Sequence, residues 1–180
     1  MRSALKSGTI LTISAVLAFI SAYTVAHAAG PSATSTSTEQ PSLVEDYAYP
    51  GAEAIQTSSG ITLISGDGQI ILADCATPPE GDLGLLRVRT SRIDDIGKDG
   101  LTCFKVLTAP GLLTLKVPAV YEIRGDGRVD GAGHKVKAEL TTDQGQHTTV
   151  EVDPSGPTQV GVGTNPTSRP TTLLQLTAVP

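Results

Sequence analysis

Charged and apolar side chains alternate without interruption through Lys135, Val136, Lys137, Ala138, Glu139 and Leu140. A period of two puts the apolar set on one face of a strand and the charges on the other. Asp143-Gln144-Gly145 then reads as a turn, and residues 148–152 return with Val150 and Val152 facing inward, so the pattern predicts a hairpin. Upstream, the apolar runs 61–65 and 69–73 flank Gly66-Asp67-Gly68, which predicts another hairpin because glycine supplies the backbone freedom a tight turn needs. Further strands are predicted over 83–90, 101–107, 112–117, 120–123, 158–163 and 173–179, with Pro118 separating the fourth of these from the third. One short helix is predicted over 50–58: proline suits the first turn, Ala52, Ala54 and Ile55 are compatible residues, and Gly60 stops it.

Nine or ten short strands without the spacing of strand–helix–strand units predict an all-β fold: an antiparallel β-sandwich, with a β-barrel as the alternative. Hydrophobic residues are 39% of the 180-residue chain, and the 19 glycines and 12 prolines fall largely between the apolar runs. That is core material for one domain, which we place at 43–180.

The first 28 residues have a different character from the rest. Arg2 and Lys6 precede an apolar stretch from Ile10 to Tyr23, and Ala26-His27-Ala28 offers small residues at the positions a signal peptidase reads. This is the layout of a secretory signal peptide, residues 1–28, cleaved after Ala28. The apolar stretch is about 14 residues, short of the ~20 that a spanning helix needs. No later segment is apolar for long enough, so no membrane span is expected after cleavage. Residues 29–42 are small and polar, a flexible Ser/Thr/Pro leader.

In an exported chain, two cysteines point to one bridge, Cys75–Cys103. Closing 28 residues would constrain the unfolded chain by roughly 3–4 kcal/mol. Removing Arg2 and Lys6 leaves 11 basic and 18 acidic residues, a net charge of −7. Such a surface repels phosphate backbones, so no nucleic-acid partner is expected.

Four chemistries have candidate residues in the chain. The loop Arg124-Gly125-Asp126-Gly127-Arg128-Val129-Asp130-Gly131 holds the candidate metal ligands, Asp126 and Asp130. Arg128 between them opposes a cation, and no glutamate closes the loop as calcium would require, so a turn is the simpler reading. A hydrolytic triad would draw on His134 or His147 with Asp130 or Asp143, but no Gly-x-Ser-x-Gly elbow occurs. Sugar binding is disfavoured by scarce aromatics: only Tyr47, Tyr49, Phe104 and Tyr121 follow the signal. The proline-stiffened loop 77–82, two residues after Cys75, has the position of an inhibitory loop and the simpler role of a connector.

The segments Leu63-Ile64-Ser65-Gly66-Asp67-Gly68, Ile71-Leu72-Ala73-Asp74-Cys75 and Val117 through Gly127 resemble those of small secreted proteins of actinobacteria, over roughly residues 49–179. The resemblance implies a Gram-positive exporter and brings no activity and no functional residues. The expectation is therefore a secreted domain, free or wall-associated, with no catalytic residues and no cofactor. It would act as a monomer that binds an extracellular protein or a cell-envelope component. The alternative is a hydrolase, or an inhibitor of one, without a motif.

Overall fold

The computed structural model describes residues 47–92 and 99–180. The signal and leader expectations, 1–42, lie outside the described residues.

The fold is organised by one long strand. In order, the elements are α1 (Ala52–Ser59), β1 (Thr62–Gly66), β2 (Ile70–Ala73), β3 (Leu86–Thr90), β4 (Leu101–Val106), β5 (Gly111–Arg124), β6 (Lys135–Thr142), β7 (His147–Val152), β8 (Pro157–Gln159), a 3-10 turn (Gly161–Gly163) and β9 (Thr171–Val179). They form a mostly antiparallel nine-stranded sheet in the order β2-β4-β3-β5-β9-β6-β7, with β1 and β8 also paired to β5. Along β5, Leu113, Leu115 and Val117 are buried while Leu112 and Lys116 face out. Beyond Val117 the buried positions, Val120 and Ile123, fall three apart, so the strand bends.

That bend corrects the expectation that Pro118 ends a strand. The register with β9 shifts on either side of Val117, and Ala119 adopts a φ of 54°. The carbonyl of Pro118 accepts from Thr90 Oγ1, and that of Ala119 from the Ser91 N–H. Proline is tolerated because the ladder is already interrupted where its N–H is missing.

The hairpin expected around Gly66-Asp67-Gly68 is also corrected. β1 pairs with β5, whereas β2 pairs with β4. Asp67 makes this divergence: one carboxylate oxygen accepts from the Gln69 N–H at 2.9 Å, the other from the Leu112 N–H at 2.9 Å. The corner is thus fastened to the start of β5 instead of closing on itself. The β6–β7 hairpin forms as predicted, with Val136 opposite Val152 and Thr141 opposite His147. The helix starts two residues later than expected, between left-handed Gly51 and Gly60, and Ile55 packs against the core. Of the strand expected over 158–163, β8 ends at Gln159, Val160 is still extended, and Gly161–Gly163 form the 3-10 turn.

Cys75 and Cys103 are disulfide-bonded, their Cα atoms 5.2 Å apart. The bridge pins the chain just after β2 to β4, where Ala73 already pairs with Cys103. Phe104, on the opposite face of β4, is fully buried among Ile70, Leu86 and Val106. Among the described residues, no helix is long and apolar enough to cross a membrane.

Candidate functional site: an arginine-lined groove

Strand β3 reads Leu86-Arg87-Val88-Arg89-Thr90, with the apolar residues and Thr90 buried and both arginines exposed. Pairing with β5 sets Arg87 opposite Arg124 and Arg89 opposite Glu122. Past the end of β5 the chain turns through Gly125, Asp126 and Gly127 to Arg128. These side chains line an open groove of about 500 Å³, with Thr77 and Pro79 on another wall. Four of the chain's seven arginines therefore meet in one place.

Their partners differ. Arg89 Nε lies 3.3 Å from Glu122 Oε1, and Gln159 Nε2 donates to Glu122 Oε2 at 2.9 Å. Arg128 is held by the opposite wall: its Nη1 donates to the Gly81 carbonyl at 3.2 Å and its backbone N–H to the Asp82 carbonyl at 2.9 Å. Among the described residues, the Arg124 side chain donates to the Ser155 carbonyl alone, at 3.5 Å. Arg87 makes no ion pair among the described residues.

Close backbone approach builds the floor. The Gly127 N–H donates to the Pro154 carbonyl at 2.8 Å and the Gly125 N–H to the Gly156 carbonyl at 3.1 Å. A Cβ on Gly125 would lie 2.2 Å from the Asp153 and Pro154 carbonyl oxygens, so only glycine fits there.

Asp126 lies in the same floor, 2% exposed. Its Oδ1 accepts from the His134 backbone N–H at 2.8 Å, and its Oδ2 is 2.6 Å from His134 Nδ1. A carboxylate oxygen accepts, so Nδ1–H donates and leaves Nε2 without this partner. Asp130, the other metal candidate, is exposed on the turn. Among the described residues, no group of three or more His, Cys, Asp or Glu is placed to hold a metal ion.

The histidine–carboxylate pairs differ from those weighed in the sequence. His134 takes Asp126, not Asp130. His147 takes Glu139 at 2.8 Å on the exposed face of the hairpin. Asp143 is engaged by Arg169 Nη1, at 3.1 and 3.2 Å. The hairpin separates the histidines: His134 precedes β6, and His147 pairs across from Thr141, about 20 Å of strand away. Among the described residues, no hydroxyl is bonded to either imidazole. Loop 77–82 is tied down by Arg128 and forms the groove's wall.

Sequence reasoning missed the groove. Its one legible signal was Arg87 and Arg89 at alternating positions; the approach of Arg124 and Arg128 depended on register. No family model matches the chain, and no curated protein matches it.

Proposed function

We propose that this chain is an exported, non-enzymatic binding domain that holds an acidic group of an extracellular or cell-envelope component in the arginine-lined groove. The observation that carries this reading is Arg87 placed directly opposite Arg124. Like charges across an antiparallel pair are unfavourable, and no acidic side chain among the described residues pairs with Arg87. An anion between the two guanidinium groups would convert repulsion into paired, charge-assisted hydrogen bonds. The volume suits a small group or the tip of a larger one. We take the fold as a sandwich hinged at Pro118–Ala119. Its support is one core cluster shared by Phe104 and Leu86 on one arm and Leu115, Leu140 and Leu176 on the other.

A hydrolase reading has one observation in its favour, the Asp126–His134 pair, which resembles two-thirds of a triad. Among the described residues no nucleophile is bonded to the imidazole, so binding is the better-supported function.

The experiment is sedimentation of the purified protein with washed cell-wall fractions over a salt series. Binding is expected to fall with ionic strength and to be lost in the double variant Arg87→Gln/Arg124→Gln. Equal retention of wild type and double variant would overturn the groove as the binding face.

A further inference from the structure

We infer that the groove recognises a phosphate monoester, its phosphoryl group seated between Arg87 and Arg124 with Arg128 beside them; this rests on the binding reading above and names the ligand class. Three observations select phosphate among anions.

The first is charge. Arg89 is neutralised by Glu122, but Arg87, Arg124 and Arg128 have no carboxylate partner among the described residues. A carboxylate or sulfate ester brings one negative charge to three guanidinium groups. A phosphate monoester brings about 1.5 to 2 negative charges at neutral pH, and three terminal oxygens.

The second is geometry. A carboxylate has two oxygens in one plane and satisfies one guanidinium fork. Arg87 and Arg124, paired across adjacent strands, both line the groove, and a tetrahedral group has oxygens on more than one side to meet both; this sets phosphate and sulfate esters apart from a carboxylate, and charge then separates the two esters. The backbone amides of the floor cannot substitute. Those of Gly84, Gly125 and Gly127 donate to the carbonyls of Asp126, Gly156 and Pro154. Recognition falls to the arginine side chains.

The third is the surroundings. Asp82 and Asp130 lie on the segments flanking Arg128, Glu80 being paired with Lys105, and residues 29–180 carry a net charge of −7. An extended polyanion would run past these carboxylates, whereas a terminal phosphate presents its charge to the arginines.

The test uses three probes with the same ring: phenyl phosphate, phenyl sulfate and benzoate, titrated calorimetrically into the purified, disulfide-bonded protein. Phenyl phosphate is expected to bind about tenfold tighter than either comparator. Arg87→Gln or Arg124→Gln is expected to weaken it roughly ten- to a hundredfold, as loss of a charge-assisted hydrogen bond does. Arg169→Gln, at the Asp143 pair, should leave it unchanged. Circular dichroism and thiol titration verify folding; if a glutamine variant fails to fold, Arg87→Lys keeps the charge, removes the fork and should still weaken binding. Benzoate or phenyl sulfate binding as tightly as phenyl phosphate, with dependence on Arg87, overturns the phosphate assignment while the anion groove stands. Phosphate binding indifferent to both arginines overturns the site. No binding of any probe overturns the phosphate assignment, and wall sedimentation then decides the wider reading independently.

Discussion

Asp126 and His134, eight residues apart across a glycine-rich loop, are joined twice: the buried carboxylate accepts from the histidine's backbone N–H at 2.8 Å and lies 2.6 Å from its Nδ1. The loop that carries Arg128 is thereby closed by one side chain. Asp126→Ala strands two donors and is expected to cost about 2–4 kcal/mol. His134→Ala retains the backbone bond and should cost about 1–2 kcal/mol. Urea midpoints of the two variants and their double mutant would measure this; strictly additive losses would mean that the ring and the carboxylate are not coupled.

The floor of the groove tolerates no side chain at Gly125, where a Cβ would meet two backbone carbonyls at 2.2 Å. Gly125→Ala should destabilise by about 1–3 kcal/mol, the range for overpacking a tight site, and should also weaken anion binding by displacing Arg124. Gly68, with a φ of 81° and open space around it, is the comparison. There alanine strains only the local backbone, by about 1 kcal/mol, without touching the groove. Chemical denaturation with calorimetry separates the two effects.

Ala119 holds a left-handed conformation at the bend of β5, a φ of 54° that glycine adopts without cost from a Cβ. Ala119→Gly is therefore expected to stabilise the protein by about 0.5–1 kcal/mol. A lowered denaturation midpoint would show that the methyl group contributes packing beyond the strain it carries.

Glu122 neutralises Arg89 at the edge of the groove. The pair is partly exposed, so Glu122→Gln should alter stability by less than about 1 kcal/mol. Removing that negative charge should raise affinity for phenyl phosphate about three- to fivefold at low salt, with the gain fading as salt is added. Unchanged or weaker affinity in the titration would place the bound anion away from Arg89.

Loss of the Cys75–Cys103 bridge removes a 28-residue closure. The double variant Cys75→Ala/Cys103→Ala is expected to lose roughly 3–4 kcal/mol from the unfolded-state term, read as a lowered melting temperature. An unchanged melting temperature would mean that the β2–β4 pairing alone holds this edge.

Period-two alternation was enough to place β6 and β7, because one face of that hairpin is apolar and a slip of one residue would expose it. The parity and spacing of the cysteines were enough for the bridge. Beyond that hairpin and the bridge, local pattern misassigned partners. Gly66-Asp67-Gly68 has the composition of a hairpin turn, yet Asp67 binds Leu112 and sends β1 and β2 to different neighbours. Pro118 has the chemistry of a strand breaker, yet β5 runs through it because the ladder shifts there.

The chain's own sequence determined which side chains are apolar, where the backbone can turn and that two sulfurs could pair, since these are properties of single residues and their immediate spacing. Long-range packing set Arg87 opposite Arg124, closed Arg128 against Gly81 and gave His134 to Asp126. Strand register and loop packing are cooperative outcomes of the whole core, and a shift of one residue between β3 and β5 would have put Arg124 on the face opposite Arg87 and Arg89.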